Sequence, residues 1–346
     1  MIKEFVEKNK LPKFRENQFN QAIYKDIAFS FDDITTWSKD LREKIKEEVE
    51  FFTLEEARVI VSKREDTIKA LFKRKKDGKL IETVLMRHRD GRNTVCVSCM
   101  VGCPVNCRFC ATGKMGFNGN LDAREIVDQV LWASRYLKKL DLEDQKVTNI
   151  VFMGMGEPML NLKSVLESID VFTDEDKYGM STRRITISTS GFIPQMNQLF
   201  ESGFRGRLAI SLHAPNQKLR AELMPVAEKF ELDELMRTLD NYVELTNKRV
   251  SYEYIMIKDK TDTAESAREL VDLMKNRLHH VNLIPFNPVR GEDYKRSPKE
   301  NIKRFTGILE DNGINFTIRV TMGDDVDAAC GQLVTKVLKR ERRTRD

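Results

Sequence analysis

The segment TVCVSCMVGCPVNCRFC, residues 94–110, begins as a short β-like apolar run and ends in a loop crowded with cysteines. It carries five of the six cysteines in the 346-residue chain. From Thr94 onward, short β-like runs alternate with longer segments of helical periodicity. Repeated alternation of this kind predicts a parallel sheet that curls into a full or partial α/β barrel.

The β-like runs recur along the whole second part of the chain. They are TVCVSCM (94–100), VTNIVFM (147–153), RITIST (184–189), RLAISLH (207–213), RVSYEYIM (249–256), HVNLIPF (280–286) and NFTIRV (315–320). Segments between them, such as 123–140 and 265–276, show helical spacing of apolar residues. Because barrel enzymes carry their chemistry at the carboxyl ends of the strands, residues just beyond each run are expected to share one site.

The chain before residue 94 has a different pattern. Residues 1–65 show helical apolar spacing and predict a small accessory domain. In residues 66–93, two apolar-rich runs flank Lys76-Asp77-Gly78-Lys79, and Asp-Gly in that position predicts a β-hairpin. Residues 94–346 are then expected to form the barrel, followed by a cysteine-bearing loop and a basic tail.

The composition excludes a membrane span and disfavours a disulfide scaffold. No apolar run approaches the roughly 20 residues that a membrane helix needs, and the N-terminus lacks the features of a secretory signal. The expected compartment is the cytoplasm, where clustered cysteines favour metal ligation or redox chemistry. The net charge of +5 and the pI near 8.7 suit an RNA partner without establishing one.

Three cysteines in the loop, Cys103, Cys107 and Cys110, have the spacing C-x3-C-x2-C. Three thiolates fit three irons of a [4Fe–4S] cluster and leave the fourth iron open. An open iron can bind the amino and carboxylate groups of S-adenosylmethionine and deliver an electron that releases an adenosyl radical. The alternative is a closed zinc site with Cys99 as fourth ligand, although structural zinc sites usually show two separated cysteine pairs.

Polar residues and glycines follow several of the predicted strands. Gly154-Met155-Gly156-Glu157-Pro158, Ser188, Ser211 with His213, and Asn287 all stand at such positions. Any one of them is more often a cap or turn residue, but together they predict a ligand site. Cys330, in GDDVDAACGQL, follows the last strand, and its acidic and glycine neighbours predict an exposed loop.

Cys96, the C-x3-C-x2-C loop, GMGEP, STSG, SLHAPN and DAACGQL occur in the order seen in the RlmN family, and nearly the whole chain resembles these adenosine-C2 RNA methyltransferases. The resemblance implies a radical S-adenosylmethionine (radical SAM) partial barrel with a helical N-terminal RNA-binding domain. It implies methylation of a 23S rRNA adenosine in the peptidyl transferase centre, and in some members of a tRNA adenosine beside the anticodon.

The resemblance also implies residue roles. Cys103, Cys107 and Cys110 would hold the [4Fe–4S] cluster, Cys330 would carry the methyl group, Cys96 would be the resolving thiol and Glu82 the general base. The implied S-adenosylmethionine contacts are Gly156, Glu157, Ser188, Ser211, Leu212, His213 and Asn287. Cys99 departs from the family pattern. If TVCVSCM is one regular strand, Cys96 and Cys99 face opposite sides and cannot both serve the same site. We assign the catalytic role to Cys96, because its offset from Cys103 matches the family pattern.

In the implied mechanism, Cys330 takes a methyl group from one S-adenosylmethionine, and a second molecule yields the radical that activates that methyl group. The activated carbon adds to the electron-poor C2 of adenine, and Cys96 then releases the product as a disulfide forms. The target base is expected to leave its stack, so single-stranded or partly unfolded RNA is the expected substrate. An electron donor such as flavodoxin or ferredoxin is expected, and a monomer is the default assembly.

Three cationic groups are candidate phosphate contacts: Lys73-Arg74-Lys75-Lys76, the set Arg87, Arg89 and Arg92, and the tail 336–346. A solvated face or a frayed tail explains each group equally well. Two other functions remain open. One is methylation at adenine C8, as in the related resistance methyltransferases, and the other is a zinc-stabilised RNA-binding protein without catalysis.

Overall fold

The computed structural model describes residues 2–140, 146–288, 293–319, 322–326 and 328–333. The predicted tail 336–346 lies outside the described residues. The chain opens with α1 (Ile2–Lys8), α2 (Phe14–Asn20) and α3 (Lys39–Glu48). A π-helical turn, Gln21–Lys25, and a 3-10 turn, Phe31–Asp33, lie between α2 and α3. Buried aromatic rings hold these segments together, with the Phe19 ring 6.3 Å from that of Phe31.

The helical prediction for residues 1–65 was wrong at its end. Leu54–Val61 forms strand β1, which pairs antiparallel with β2 (Thr67–Arg74). After Leu54 this edge strand is exposed or only half-buried, so it shows none of the apolar and polar alternation that marks a half-buried strand. Its pairing with β2 is a contact that the local pattern does not reveal.

The predicted hairpin is confirmed. Strand β2 pairs with β3 (Leu80–Arg87), and the turn between them contains Gly78 at φ 72°, a left-handed conformation that glycine adopts at low cost. Strand β4 (Asn93–Cys96) pairs antiparallel with β3 and parallel with β7, so it joins the hairpin to the barrel.

The predicted α/β sheet is confirmed, and it is an open, partial barrel. Its ten strands follow the order β1-β2-β3-β4-β7-β8-β9-β10-β11-β12, with parallel pairing from β4 onward. The remaining strands of this sheet are β7 (Asn149–Phe152), β8 (Ile185–Thr189), β9 (Arg207–Ser211), β10 (Val250–Met256), β11 (His279–Pro285) and β12 (Phe316–Ile318).

The run TVCVSCM is not one strand, which corrects the premise used for Cys96 and Cys99. Strand β4 ends at Cys96, and β5 (Met100–Gly102) pairs instead with β6 (Phe117–Asn120) in a separate small sheet. The backbone N–H groups of Cys99 and Met100 both donate to the Met155 carbonyl, at 2.9 and 3.1 Å. This long-range contact draws the chain away from the β4 direction.

Helices lie between the strands along the chain from α4 onward. They are α4 (Ala111–Lys114), α5 (Ala123–Lys139), α6 (Leu162–Thr173), α7 (Ile193–Glu201), α8 (Gln217–Leu223), α9 (Leu232–Thr246), α10 (Ala264–Met274) and α11 (Lys299–Asp311). The helical predictions for 123–140 and 265–276 are confirmed. None of the helices in the described ranges is long and apolar enough to cross a membrane.

A buried ion pair ties β2 to α5. The Arg74 guanidinium donates to both carboxylate oxygens of Glu125, at 2.8 and 3.1 Å, and the two side chains are 2% and 1% exposed. Arg74 is therefore not the phosphate contact that its place in Lys73-Arg74-Lys75-Lys76 suggested, because its guanidinium is buried and paired with Glu125. Exposed Lys76 also pairs with Glu125, at 3.0 Å.

We expect Arg74→Gln to lower the free energy of unfolding by about 3 kcal/mol, because it leaves Glu125 buried with only part of its counter-charge. The matched control is Lys163→Gln, which breaks the exposed pair with Glu167 on α6 and should cost less than about 0.5 kcal/mol. Urea unfolding followed by circular dichroism measures both changes. Equal losses in the two variants would contradict a structural role for the Arg74 pair.

Candidate active site

The carboxyl ends of the parallel strands surround a cavity of about 170 Å³, here called the carboxyl-end cavity. The predicted site residues that line it are Cys103, Cys107, Cys110, Gly156, Glu157, Ser188, Ser211, His213, Asn287 and Cys330. Because parallel strands end at one edge of a sheet, loops far apart in sequence meet here. Leu212, Cys96 and Glu82 are predicted site residues that do not line this cavity.

The cysteine loop is folded back against its own ends. The Cys103 N–H donates to the Gly116 carbonyl at 3.1 Å, and a Cβ added to Gly102 would lie 1.8 Å from the same oxygen. Only glycine fits at that close approach. The N–H of Ala111, directly after Cys110, donates to the Gly331 carbonyl at 2.7 Å. This bond brings the loop next to the turn that carries Cys330.

Burial controls the protonation of the three loop cysteines. It raises the pKa of Cys103 to about 12, and it also raises the pKa values of Cys107 and Cys110. The free groups are therefore thiols at neutral pH, and a bound metal would displace their protons. In the part of the chain that the structure describes, no three His, Cys, Asp or Glu side chains are grouped so that they could hold one single metal ion. In a [4Fe–4S] cluster, each of the three thiolates would instead bind a different iron. Three soft thiol donors on one cavity wall are the chemistry that iron–sulfur clusters use.

Glu157 is held rigidly beside the cysteines. Its carboxylate accepts hydrogen bonds from the N–H and hydroxyl of Ser190, at 2.8 and 2.7 Å, and from the Met159 N–H at 3.1 Å. Burial raises its pKa, and the Ser190 bonds only partly offset that effect. Gly156, at φ 108°, packs so tightly that an added Cβ would lie 2.7 Å from Met100. The predicted glycine turn thus places a fixed carboxylate in the wall.

His213 offers an unused nitrogen to the cavity. Its backbone has φ 59°, its side chain is buried, and its ring packs edge-on against Phe109 with centroids 4.6 Å apart. Nδ1 has no hydrogen-bond partner. Burial, helped by the Arg220 charge, lowers the pKa of His213 to about 3, so the ring is neutral at pH 7. A buried nitrogen without a partner fits a cavity that receives a polar ligand.

Leu212 holds the backbone of this turn instead of facing a ligand. Its side chain is fully buried, and its N–H donates to the Ile210 and Glu253 carbonyls at 2.8 and 3.0 Å. Its side chain is absent from the cavity wall that the structure describes, so its predicted ligand contact stays a prediction for the backbone alone.

Arg319 and Glu253 are wall residues that the sequence analysis missed. Arg319 directly follows β12, and its guanidinium lies 3.9 Å from the Cys330 sulfur and 3.6 Å from the Glu253 carboxylate. Burial acts to lower the pKa of Arg319, but Glu253 and then Cys330 outweigh it and raise that pKa. Glu253, in the middle of RVSYEYIM, was a detectable signal, because a charge inside an apolar strand needs a partner.

A second cavity of about 620 Å³, here called the lumen cavity, runs through the barrel interior. Cys96 lines it from the end of β4, and exposed Cys330 lines both cavities. Burial, and then the nearby Cys330, raises the pKa of Cys96 to about 12. Cys96 thus faces Cys330, whereas Cys99 lies against Gly156, its sulfur 3.0 Å from the place of an added Cβ.

Glu82 lies outside the walls of both cavities. It is 1% exposed on β3 and its carboxylate is 3.4 Å from the Lys69 ammonium. Val84, two residues later and therefore on the same face of β3, does line the lumen cavity. The structure brings the other predicted catalytic residues, Cys96 and Cys330, together around one space, whereas Glu82 is buried outside the wall of that space.

Comparison with known proteins identifies the family. Residues 97–274 match the Radical SAM superfamily, whose cofactors are a [4Fe–4S] cluster and S-adenosylmethionine. The chain is 43% identical to the probable dual-specificity RNA methyltransferase RlmN of Lachnoclostridium phytofermentans, over 93% of this chain and 88% of the relative. It is also 43% identical to the dual-specificity RNA methyltransferase RlmN of Francisella tularensis, over 96% and 89%.

A solved structure agrees with these relatives. The crystal structure of a radical SAM methyltransferase from Sphaerobacter thermophilus superposes with a TM-score of 0.92 at 40% identity, covering 96% of each chain. The cluster and S-adenosylmethionine fit the thiol-lined wall and the unpartnered His213 nitrogen described above. Sequence, fold and cavity chemistry agree, and the chain belongs to the RlmN family of radical SAM RNA methyltransferases.

Proposed function

We propose that this enzyme methylates C2 of an adenosine in 23S rRNA, in the peptidyl transferase centre, and also a tRNA adenosine beside the anticodon. One observation carries the proposal: Cys330 stands in the wall shared by the two cavities, with the loop cysteines on one side and Cys96 on the other. The names of the relatives, which specify dual-specificity RNA methyltransferases, support two RNA substrates.

The cofactor residues proposed from the family resemblance divide into two sets. Cys103, Cys107 and Cys110 would hold the cluster, and the contacts of S-adenosylmethionine would be Gly156, Glu157, Ser188, Ser211, His213 and Asn287, with Leu212 acting only through its backbone. Bound there, S-adenosylmethionine, used twice per turnover, supplies a methyl group and, after reduction, an adenosyl radical. Glu157 is suited to bind the ammonium group of S-adenosylmethionine. Its carboxylate lines the cavity wall, and two hydrogen bonds donated by Ser190 fix its position there.

Cys330 would receive the methyl group on its sulfur, lose a hydrogen atom from that methyl group to the adenosyl radical, and add through the resulting carbon radical to adenine C2. The adduct radical would then lose the C2 proton to a base and one electron to the cluster that first supplied it, which leaves a closed-shell thioether. Adenine C2 lies between two ring nitrogens and is too electron-poor to attack a methyl donor, so a carbon radical is the suitable reagent. Exposure of Cys330 allows a base to reach it, and Arg319 holds its sulfur between the two cavities.

Cys96 would complete the reaction. Its thiolate attacks the Cys330 sulfur of the protein–RNA thioether, and the sulfur–carbon bond breaks as the Cys96–Cys330 disulfide forms. The electron pair of the broken bond leaves with the carbon, which takes up a proton and becomes the methyl group of the product. Glu82 remains the proposed base for the C2 proton, and it lies two residues from Val84 of the lumen wall on the same face of β3.

The nearest alternative is methylation at adenine C8, which would use the same cysteines. Nothing in the cavity walls chooses between the two carbons, and the RlmN relatives favour C2. The zinc alternative needs a closed four-ligand site, and the Radical SAM match favours an iron–sulfur cluster instead. We also propose a flavodoxin or ferredoxin as electron donor, a monomeric enzyme, and an RNA-binding role for the N-terminal helices.

We expect Cys103→Ser, Cys107→Ser and Cys110→Ser each to lose the cluster, so that iron falls from about four atoms per chain to near zero after anaerobic reconstitution. The matched control is Cys99→Ser, which removes a buried thiol next to Cys103 and should retain its iron. Iron and sulfide analysis measures the result. Full iron in any of the three variants, or bound zinc without sulfide in the native protein, would contradict the assignment.

We expect the reconstituted native protein, given methyl-deuterated S-adenosylmethionine, reductant and an unmodified 23S rRNA fragment, to produce labelled 2-methyladenosine. Cys330→Ala should abolish the product, because the methyl carrier is gone. Mass spectrometry of the nucleosides reads both results. Labelled 8-methyladenosine would move the enzyme to the C8 alternative, and undiminished product from the variant would exclude the Cys330 mechanism.

We expect Cys96→Ala to accumulate protein crosslinked to RNA through Cys330, because the thiol that releases the product is absent. Cys99 should not replace it, since Cys99 lies against Gly156 and does not line the lumen cavity. Denaturing gel electrophoresis with labelled RNA detects the adduct, and Cys99→Ala serves as the control that forms none. If the Cys96→Ala and Cys96/Cys99 double variants both lack the adduct, Cys96 does not resolve it.

A further inference from the structure

The amino-terminal end of the lumen cavity carries two neighbouring arginines to which no role has been assigned. Arg207 is the first residue of β9, and Arg249 directly precedes β10. Ala209 of β9 pairs with Ser251 of β10, so two residues earlier Arg207 stands beside Arg249 on the adjacent strand. Both arginines are exposed and both line the lumen cavity.

Like charges on adjacent strands destabilise a sheet unless a counter-charge lies between them. No carboxylate within the described ranges forms an ion pair with Arg207 or Arg249. Arg92, another cation in this cavity, differs, because it pairs with Asp90 at 2.9 Å. The two unpaired guanidinium groups are thus positioned for an anion that the protein itself does not supply.

The neighbouring histidines add no negative charge. Burial, followed by the charge of Arg249, lowers the pKa of His280, and burial with Arg92 lowers that of His88. Both rings line the same cavity as neutral hydrogen-bonding groups at pH 7. The amino-terminal mouth of the lumen therefore combines two free cations with neutral polar side chains, a suitable wall for a phosphate and the sugar attached to it.

The lumen connects this mouth to the reacting cysteines. Arg249, Ser251 and Glu253 all line it from β10, as the alternation of side chains along a strand requires. The four residue-to-residue steps from Arg249 to Glu253 span about 13 Å at about 3.3 Å per step. Cys96 and Cys330 line the same cavity at its other end. A chain of nucleotides entering at the arginines can thus continue towards the cysteines.

We propose that Arg207 and Arg249 form a clamp for a backbone phosphate of the substrate RNA, at the mouth opposite the cysteine loop. The proposal rests on the function proposed above and adds the path by which the RNA enters. Two adjacent guanidinium groups match the oxygens of one phosphodiester through bidentate hydrogen bonds. A single-stranded RNA segment supplies such a phosphate and is narrow enough to follow a groove towards the active site.

The test is RNA binding by cluster-loaded protein without reductant, so that no turnover occurs. Fluorescence anisotropy with a single-stranded RNA around the target adenosine should show affinity about tenfold weaker for each of Arg207→Gln and Arg249→Gln. The double variant should also reduce the slope of log affinity against log salt by about 0.7 for the phosphate that is lost. Arg268→Gln, an exposed arginine on α10 outside the barrel, is the matched control and should change neither value.

A second measurement assigns the phosphate. One uncharged methylphosphonate linkage is moved along the RNA, and one position should weaken binding to the native protein yet have no effect on the double variant. The melting temperature of the double variant should equal or exceed that of the native protein, because the variant removes the repulsion between the two arginines. Weaker RNA binding by the double variant therefore cannot come from misfolding. Equal native and double-variant affinities at every linkage, with unchanged salt slope, would overturn the clamp.

Two further outcomes separate the possible explanations. If inorganic phosphate raises the melting temperature of the native protein but not of the double variant, while RNA affinity is equal in both, the arginines bind a small free anion and the RNA clamp is wrong. If the native protein methylates RNA but the variants bind normally, the clamp fails and the proposed function stands. If the clamp behaves as expected but no methyladenosine forms, the clamp stands and the proposed function fails.

Discussion

Parallel strands that end at one edge are the constraint on which the rest of the molecule depends. The sheet from β4 to β12 supplies strand ends separated by tens of residues in the chain, and each end presents its next few residues to the same space. Glu157, Ser211 and Asn287 therefore meet although no local interaction joins them. The barrel is open, with β1 and β12 at its two edges, and its interior holds a cavity of about 620 Å³ instead of a packed core.

One hydrogen bond joins the cysteine loop to the turn that carries Cys330. The Ala111 N–H donates to the Gly331 carbonyl and places the turn of Cys330 against the loop that ends at Cys110. A Cβ at Gly331 would lie 3.4 Å from the Phe109 carbonyl, so the two loops are in close contact at this point. Arg319 extends the same junction, because it reaches Cys330, Glu253 and Met153 from the end of β12. Cys330, the proposed methyl carrier, is thus exposed and lies in a turn that is hydrogen-bonded to the cysteine loop.

The sequence predicted those features that depend on local patterns. The hairpin followed from Asp77-Gly78, α5 from its helical periodicity, and the carboxyl-end residues from their positions after β-like runs. Features that depend on distant partners were missed. Strand β1 forms because β2 is beside it, β4 ends where the Met155 carbonyl draws the chain away, and Arg74 is buried because Glu125 lies opposite. Glu82 was placed by resemblance, and only the structure shows that it is buried next to Lys69 and does not line the lumen cavity.

The two ends of the lumen differ in electrostatic character for a physical reason. At the carboxyl end, burial keeps Cys103, Cys107 and His213 neutral, so a thiol-ligated cluster forms there only by displacing protons. At the amino-terminal end, the arginines that line the lumen cavity are exposed to water. The proposed radical step suits the end where the cysteines of the loop are buried, since an enclosed site protects a reactive intermediate from water, and the proposed RNA clamp suits the end where the arginines are exposed. In the proposed reaction, the position of Cys330 where the two cavities meet satisfies both requirements, because its sulfur would face the cofactor wall in one step and the RNA base in the next.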